Sequence, residues 1–439
     1  MEGENLYTAR YVITKEEIFS PGALVTRGSR ILFAGAEGEA KRRFPGLPLT
    51  NYGEAAISPS FVNAHMHLYG VLAHGIKPPF PITSFESFLG DYWWPLVENR
   101  LDGQMLAAAA EASALELIDS GVTCVCDCME APNASRQGLE AQAGVLESLG
   151  LRAVLSVEAS ERISPENGRL CLRDSLDFLS SRSGSLVGGC LCLHTAFTCS
   201  RPFIEEAAAM AGKAGADIQL HLNESVYEPE WCEKRYGKRT ALWYEETGLL
   251  GEALIAAQCV QLSPEEMDAL ARRKVRVVHV PLSNCEVGGG IAPVPDLLER
   301  GLAPALGTDG YINNFFEVLR GAFLIHKGYR QNAGIMDAGT VWTMATENGA
   351  RAVYGGRLKT GRLAEGYEAD FIVIDTGDLP SAINKENLLE ELILYRNPQD
   401  LRDVYAAGKA LKKNGVLVTG DKKAAAKRAA LESARLQPR

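Results

Sequence analysis

Histidine and positive charge are scarce in this chain, and long apolar runs are missing. Its 439 residues include 7 histidines, and 45 Lys and Arg against 55 Asp and Glu give a formal net charge of −10. That charge argues against a nucleic-acid backbone or an anionic membrane surface as the main partner. No apolar run approaches the ~20 residues needed to cross a bilayer. With 46% hydrophobic and 23% charged residues, the composition is that of an ordinary globular protein.

A targeting signal is also missing from the first residues. MEGENLYTARYVITKEE has no basic region followed by an apolar core, which a secretory signal needs. Ten cysteines without such a signal are best interpreted as reduced thiols, so we expect a cytoplasmic protein. The densest group is Cys124, Cys126 and Cys128 in VTCVCDC. A metal site is one interpretation, but small buried side chains are favoured, because no second cysteine cluster has matching spacing.

Apolar strands alternate with amphipathic helices from about residue 57 to residue 350. The strand-like segments are AISPSFVNAH, GVTCVCDC, LRAVLSVEA, LVGGCLCLHT, ADIQLHLN, ALIAAQCV, KVRVVHV and LAPALGTD. Several helical segments between them begin at Ser or Pro and end at Gly. Eight strands with helical crossovers predict an α/β fold, a closed (β/α)8 TIM-type barrel. An open doubly wound sheet is the alternative, but no Gly-rich phosphate turn follows the first strand.

The two ends of the chain have a different pattern. Residues 1–56 and 358–419 contain short β-like runs such as ALVTRGSRILFAG and DFIVID, and we expect them to pair into one small β-sandwich domain. The catalytic barrel would then span residues 57–357, and residues 420–439 are predicted to form a solvated C-terminal helix. The insertion of residues 71–100 is rich in aromatics and proline and long for a connector. It predicts a lid or an interface segment, and it is compatible with a homodimer.

Five of the seven histidines lie near the ends of predicted strands. His65 and His67 in SFVNAHMHLYG can point to the same side of the first strand, since residues i and i+2 share a face. Alone, this short pattern fits a metal site and a surface strand equally well. The ends of the later strands carry His194, His221, Gln258, His279 and Asp309. Because strand ends converge in a barrel, the metal centre is favoured, while His74 and His326 are expected to pack or face solvent.

The predicted ligands of the metal ion are His65, His67, His221 and Asp309. Three imidazoles and one carboxylate leave room for a water, as in a catalytic zinc site. We expect one divalent ion per chain, Zn²⁺, with Fe²⁺ as the alternative. Barrels of this kind that hold two metals usually bridge them with a carboxylated lysine from strand three or four. No lysine occurs between residues 77 and 213, which favours a single ion.

Two carboxylates are assigned to proton transfer. A divalent ion lowers the pKa of its water from near 16 to about 7, and Asp309 in LGTDG can accept that proton as well as touch the ion. Glu224 lies three residues after His221 in HLNES. Such a residue is usually solvated or caps a helix. Beside a metal ligand it is better interpreted as the acid that moves a proton to a substrate nitrogen.

Together these motifs resemble the amidohydrolase superfamily, in its metal-dependent deaminase and chlorohydrolase branch. The segments that carry the resemblance are FVNAHMHL, LHTAFTCS, HLNES, HVPLSN, LGTDG and MATENGARAV. That branch includes adenosylhomocysteine and methylthioadenosine deaminases, guanine deaminases and triazine hydrolases. The details DYWWPLVE, EKRYGKR and LGTDGYINNFFE look most similar to aminohydrolases associated with selenium metabolism.

The resemblance implies a role for each matched residue. The four predicted ligands fall on the metal positions of the family and Glu224 on its proton-shuttle position. The residues that we place at the substrate are His194, His279, Asn284 and Trp93. The implied reaction is attack of metal-bound hydroxide on a ring carbon that bears an amino group, protonation of the ring nitrogen by Glu224, and loss of ammonia.

Strand six departs from the family pattern. The family usually ends this strand with a histidine, in a pattern like A-H-C-V-H-L, whereas this chain has AAQCVQLS with Gln258 and Gln261. A glutamine can donate or accept a hydrogen bond but cannot carry positive charge at neutral pH. Three interpretations follow: an altered substrate whose own group orients the water, a slow enzyme, or a former enzyme that now only binds. We favour the first, because the predicted ligands and Glu224 are all present, and we include Gln258 among the catalytic residues.

The leading hypothesis is therefore a metal-dependent hydrolase of carbon–nitrogen bonds other than peptide bonds. It would deaminate an aminated nitrogen heterocycle, such as a purine, pteridine or triazine. The nearest alternative removes another leaving group, such as chloride, or opens a cyclic amide. A different class, a metal-holding binding protein with weakened catalysis, is distinguished by Gln258.

Overall fold

The structure is a computed structural model that describes residues 3–182, 184–310, 312–379 and 381–437. Its strands are β1 (Glu4–Ala9), β2 (Tyr11–Ile13), β3 (Ile18–Phe19), β4 (Gly22–Arg27), β5 (Arg30–Ala36), β6 (Leu49–Asn51), β7 (Ala55–Pro59), β8 (Phe61–Met66), β9 (Val122–Met129), β10 (Arg152–Ala159), β11 (Val187–Gly189), β12 (Leu191–Leu193), β13 (Ile218–Leu222), β14 (Leu254–Gln258), β15 (Arg276–His279), β16 (Ala305–Leu306), β17 (Phe371–Asp375), β18 (Leu401–Ala406), β19 (Lys409–Lys413) and β20 (Val416–Leu417).

The α-helices are α1 (Glu37–Arg43), α2 (Phe85–Ser87), α3 (Trp94–Leu96), α4 (Gly103–Asp119), α5 (Ser135–Leu149), α6 (Pro165–Ser181), α7 (Arg201–Ala214), α8 (Tyr227–Tyr236), α9 (Thr240–Glu246), α10 (Pro264–Arg272), α11 (Pro281–Glu286), α12 (Val294–Glu299), α13 (Phe315–Arg330), α14 (Ala338–Ala345), α15 (Glu347–Tyr354), α16 (Leu388–Tyr395) and α17 (Lys422–Leu436). The insertion also contains a π-helix, Phe88–Trp93, and a 3₁₀ turn, Glu98–Arg100. Two further 3₁₀ turns are Leu68–Leu72 and Pro398–Asp400.

Parallel strands in chain order build the predicted barrel. The sheet order from β8 runs through β9, β10, β12, β13, β14 and β15 to β16. The barrel closes where β8 meets the residues after β16. Met66 and Asp309 form a parallel bridge, and the amides of Thr308 and Asp309 each donate to the carbonyl oxygen of His65 over 3.1 Å. The TIM-type barrel is therefore confirmed, and the open sheet is excluded.

The interior of the barrel is filled by small and branched side chains from successive strands. Val62 of β8, Val154 of β10 and Ile255 of β14 share one buried cluster with Cys124 and Cys126 of β9. Each strand turns alternate residues inward, which explains the alternating cysteines in VTCVCDC. Their favoured interpretation as small buried side chains agrees with this packing.

The two chain ends combine into a second unit of two sheets. One sheet has the order β5-β4-β1-β6 and the other β20-β19-β18-β17-β7-β2-β3. Tyr7 and Leu24 of the first sheet share a buried core with Ile57 and Phe371 of the second, as expected for a sandwich. The first strand-like segment of the sequence is divided: β7 pairs with β17 in this unit, whereas the barrel begins with β8. The structure therefore places the boundary at Ser60 rather than after residue 56.

The predicted C-terminal helix is present as α17, but one of its sides is covered. Ala425, Ala429 and Leu436 are buried, and Arg428 lies 2.7 Å from Glu111 of α4. The helix is therefore solvated on one side only, because its alanine side packs against the barrel helix α4. Among the helices of the described ranges, none is long and apolar enough to cross a membrane.

Gly307 lets the last barrel strand approach the first. A Cβ atom there would lie 2.6 Å from the carbonyl oxygen of His65 and 3.1 Å from its backbone nitrogen. We expect Gly307→Ala to push β8 and β16 apart, to lower the free energy of unfolding by about 1–3 kcal/mol, and to weaken metal binding through His65. Denaturant unfolding and metal analysis measure both effects. Gly212→Ala is the control, since a Cβ at position 212 in α7 meets nothing within 4 Å and alanine favours a helix. Equal stability of the two variants would contradict the expectation.

Candidate metal centre and active site

Four side chains meet at the carboxyl ends of the barrel strands. The ligand atoms of His65, His67, His221 and Asp309 all lie within 4.8 Å of one another. His67 Nε2 lies 2.8 Å from Asp309 Oδ1 and 3.3 Å from His221 Nε2. His65 Nε2 lies 3.7 Å from Asp309 Oδ1. The four predicted ligands, taken from three distant parts of the chain, therefore surround one point.

The histidine rings are oriented for this convergence. Nδ1 of His67 lies 2.7 Å from the carbonyl oxygen of Cys128, and Nδ1 of His65 lies 3.3 Å from Gln219 Oε1. Such contacts fix a ligand's ring and leave Nε2 for the metal. His65 Nε2 is buried and has no hydrogen-bond partner within the described ranges, a costly state unless something binds it. The donor set fits a divalent metal ion.

The electrostatics of His65, His221 and Asp309 agree with this role. Burial lowers the pKa values of His65 and His221, so these rings are neutral, as metal ligands must be. Burial alone would lower the pKa of His67, but the Asp309 carboxylate outweighs it and raises that pKa to about 9. Burial would raise the pKa of Asp309, but His67 and His65 hold it well below its usual range. Asp309 is therefore ionised, and its negative charge attracts a cation at this point.

The second oxygen of Asp309 is held by two neutral donors. Gln258 Nε2 donates to Asp309 Oδ2 over 3.1 Å, and Ser283 Oγ donates to the same atom. Gln258 has a φ of 72° and Asp309 a φ of 57°, in the left-handed region that is unfavourable for residues other than glycine. The amide oxygen of Gln258 is buried and has no partner in the described part of the chain. Gln258 thus both orients Asp309 and leaves an acceptor free beside the site.

Glu224 follows β13 and is half-buried. Burial first, and then the charge of Asp309, raise its pKa to about 8. A carboxyl group with a pKa near neutrality can both give and take a proton at physiological pH. The predicted acid is therefore electrostatically suited to that task.

One indole ring of the insertion of residues 71–100 lies beside the site. The ring of His194 lies 5.6 Å from that of His221 and 5.8 Å from that of Trp94, measured between centroids. Trp93, the predicted substrate contact, instead stacks on Phe88, and its Nε1 lies 3.4 Å from the hydroxyl of Tyr69. Trp94 is therefore the indole beside His194. The two tryptophans are adjacent in the sequence and both are half-buried, so only the ring contacts of the folded chain show which one lies beside His194.

His279 is the last residue of β15, and Asn284 lies in the helix α11 that follows it. Nε2 of His279 lies 3.1 Å from Nε2 of His326, so His326 packs in the protein, as expected. Both amide atoms of Asn284 are buried without a partner among the described residues. A role of His279 or Asn284 at the substrate stays a prediction. His74 Nε2 lies 3.0 Å from the carbonyl oxygen of Gly310.

Two buried glutamates near the metal centre, Glu130 and Glu158, are not among the site residues predicted from the sequence. Glu130 follows β9, and its carboxylate oxygens lie 3.7 Å from His67 Nδ1 and 4.0 Å from His221 Nδ1. Glu158 lies in β10 near its carboxyl end. The two glutamates lie in CDCMEAP and VLSVEAS, near the ends of predicted strands. The search for polar residues at strand ends that identified the histidines also identifies these glutamates when it includes glutamate. Burial and then the charges of Glu98 and Glu158 raise the pKa of Glu130 well above its usual range.

The barrel is closed, and its strand ends hold three imidazoles and a carboxylate around one point. This arrangement is typical of the class of metal-dependent barrel hydrolases. The model of the Amidohydrolase family matches residues 56–420, and the chain belongs to that family. The resemblance predicted from its motifs is confirmed.

Relatives with described activities cover nearly the whole chain. The protein is 30% identical over 417 residues to the 5'-deoxyadenosine deaminase of Methanopyrus kandleri. The aligned region covers 93% of this chain and 94% of that protein. It is 33% identical over 362 residues to the 5-methylthioadenosine/S-adenosylhomocysteine deaminase of Thermococcus sibiricus, covering 81% and 82%. The crystal structure of an adenosine deaminase from Xanthomonas campestris with bound zinc matches with a TM-score of 0.89 at 25% identity, covering 99% and 98% of the two chains. The site described above binds a divalent metal ion.

Proposed function

We propose that this protein is a metal-dependent aminohydrolase that removes an amino group from a nitrogen heterocycle as ammonia. The observation that carries the proposal is the convergence of three imidazoles and Asp309 on one point. Glu224 follows His221 by three residues, and the charge of Asp309 acts on its carboxyl group. The relatives that are named deaminases support the same reaction. The substrates that we propose are purines, pteridines or triazines with an amino group on the ring.

The metal is proposed to be one zinc ion per chain, with iron as the alternative. Imidazole nitrogens and a carboxylate suit both ions. Bound there, a divalent ion supplies a Lewis acid that brings the pKa of water to about 7. No lysine lies between residues 77 and 213 to bridge a second ion.

The protein side chains divide the proton transfers between them. Asp309 takes the proton of the attacking water, and its Oδ2 is kept in place by Gln258 and Ser283. Glu224 gives a proton to the ring nitrogen next to the carbon under attack. A carbon–oxygen bond forms there, and Asp309 passes the proton that it took to the amino group. The carbon–nitrogen bond then breaks and ammonia leaves, while the new hydroxyl group gives its proton back to Glu224 and becomes the carbonyl of the product. His194 and Trp94 are proposed to line the space that the ring occupies.

An ammonia-release screen with quantified metal tests the proposal. Purified, zinc-supplemented protein is incubated with aminated purines, pterins and triazines, and with chlorinated analogues of the same rings. Release of ammonia from at least one aminated ring supports deamination. Release of chloride alone would favour the chlorohydrolase alternative. Binding without turnover of any ring by fully loaded protein would favour the binding-protein alternative.

Gln258 is proposed to adapt the site to its substrate by positioning Asp309. We expect Gln258→His to change kcat toward aminopurines by about tenfold or more, because a histidine there can carry a proton that glutamine cannot. Histidine tolerates the left-handed backbone at this position better than most residues. Gln261→His is the matched control, since Gln261 Nε2 donates to the carbonyl oxygen of Gly289 and not to Asp309. An unchanged kcat in Gln258→His on every substrate would show that this position does not influence the reaction.

We also propose a cytoplasmic location, which the ten free cysteines, nine of them buried, support. The homodimer remains a prediction from the aromatic insertion.

A further inference from the structure

A buried carboxylate in the first turn of α8 connects two strand ends of the barrel. Glu228 is 2% exposed. Its Oε1 accepts a hydrogen bond from the backbone amide of Ala196 over 2.8 Å, and its Oε2 accepts from the amide of Asn223 over 2.6 Å. Ala196 lies two residues after His194. Asn223 is the residue before Glu224, so one side chain ties the segment of the histidine proposed at the substrate to the segment of the proposed proton shuttle.

The backbone of Asn223 has an uncommon conformation that needs support. Its φ is 51°, in the left-handed region that costs energy for every residue except glycine. Its carbonyl oxygen accepts from the amide of Val260 over 3.1 Å, and its Nδ2 donates to Glu266 Oε1 over 3.0 Å. A strained conformation persists only where its surroundings hold it in place. Glu228 supplies the contact at the amide nitrogen, so Asn223 is held at its amide, its carbonyl and its side chain.

The peptide of Glu224 itself is also closely packed. A Cβ atom at Gly289, in the loop after α11, would lie 2.4 Å from the carbonyl oxygen of Glu224. The position of this peptide decides where the Glu224 carboxyl group can reach. A group that transfers a proton must lie within hydrogen-bond distance of the atom that it serves, and a displacement of about 1 Å can cost about 10²-fold in rate. The hold on Asn223 therefore bears on the reaction.

A carboxylate suits this position better than an amide. An ionised carboxylate accepts hydrogen bonds at both of its oxygens, and Glu228 uses one oxygen for each of the two backbone amides. A glutamine could accept from one of them, but it would turn its own NH₂ group toward the other. One buried backbone N–H would then lack an acceptor, which is costly. Glu228→Gln is therefore a small change in shape that releases one of the two segments.

We propose that Glu228 is a positioning residue for Glu224: by holding the amide of Asn223, it fixes the place from which Glu224 transfers its proton. The inference rests on the proposed function for the role of Glu224. Glu228 is outside the group of four converging ligands, so its effect is expected on proton transfer and not on metal binding.

The first part of the test needs no substrate. Hydrogen–deuterium exchange of the zinc-loaded full chain is followed by mass spectrometry in the wild type and in Glu228→Gln. We expect the peptide that contains Asn223 to exchange about tenfold or more faster in the variant, while the zinc content stays at about one equivalent. Glu230→Gln is the matched control, since Glu230 lies in the same helix and is exposed, and it should exchange like the wild type.

The second part is a double-mutant cycle on kcat, with the aminated ring that is fastest in the ammonia-release screen. We expect Glu228→Gln to lower kcat by about tenfold or more and to change KM by less than about threefold, because His194 keeps its own contact with Thr198 at 2.9 Å. In the Glu224→Gln background, the same change should lower kcat by less than about twofold, since a residue that acts through Glu224 has nothing left to position. Single-turnover measurements at high protein concentration reach these low rates.

Three results would overturn the inference. The first is unchanged exchange of the Asn223 peptide in Glu228→Gln. The second is an equal loss of kcat in both backgrounds, which would give Glu228 a general structural role. The third is loss of zinc in Glu228→Gln, which would place its effect on the metal centre. Glu228→Asp, which keeps the carboxylate but shortens its reach, takes the place of Glu228→Gln if that variant does not fold, and the same results are expected.

The proposed function fails separately from this inference. If the wild type releases chloride but no ammonia, deamination is removed, while the same cycle on chloride release still tests Glu228. If the wild type turns over no ring, the exchange measurement alone decides whether Glu228 holds the segment of Glu224. Ammonia release with an unchanged kcat in Glu228→Gln would leave the reaction standing and remove the positioning role.

Discussion

Glu224→Gln is expected to lower kcat for ammonia release by about 10²–10⁴-fold while the metal content stays at the wild-type level. Glutamine has nearly the shape of glutamate but cannot give or take the proton that the ring nitrogen needs. Glu224 is outside the group of four converging ligands, so its replacement leaves the metal site complete. Steady-state kinetics and elemental analysis of the same preparation measure the two quantities.

Glu286→Gln is the matched control for this variant. Glu286 also has a pKa raised by burial and by Asp309, yet it is exposed at the end of α11 and has no assigned part in the reaction. We expect its activity to remain within a few-fold of the wild type, on the order of other surface changes. Full activity of Glu224→Gln would remove the shuttle role. Loss of metal together with activity would make Glu224 a ligand instead.

His221→Gln is expected to abolish activity by a different route, the loss of the metal ion itself. One of four ligands is removed, and the remaining three cannot complete the site. We expect less than about a tenth of an equivalent of zinc in this variant, against about one in the wild type. His194→Gln is the control, because His194 also lies at a strand end, 5.6 Å from the His221 ring between centroids, but belongs to the substrate side.

Metal analysis after identical zinc supplementation separates the two variants. His194→Gln should keep its zinc and lose affinity for substrate, seen as a raised KM. Zinc loss in both variants would place His194 among the ligands, and zinc retention in His221→Gln would contradict the ligand set. Circular dichroism of each variant checks that the barrel has folded.

The sequence alone was sufficient for the barrel and for the convergence of the four predicted ligands on one point. The alternation of apolar strands with capped helices is a local pattern, and a parallel sheet built from such units has few topologies open to it. His65 and His67 share a face because a strand has a period of two residues, and His221 and Asp309 end other strands of the same barrel. The strand-end rule places such residues together without knowledge of any side-chain contact.

Contacts between side chains that are distant in the sequence were decided only by the tertiary structure. The hydrogen bond from Gln258 to Asp309, the choice of Trp94 over Trp93 beside His194, and the approach of Glu130 to the ligand histidines depend on backbone angles and packing that no local pattern encodes. The division of the first strand-like segment, AISPSFVNAH, between β7 and β8 was also decided by the tertiary structure. Both halves are apolar, and only their pairing partners differ. Sequence periodicity determined which edge of the barrel carries the chemistry. Packing determined which atoms meet there, because burial and hydrogen bonding are properties of the assembled chain.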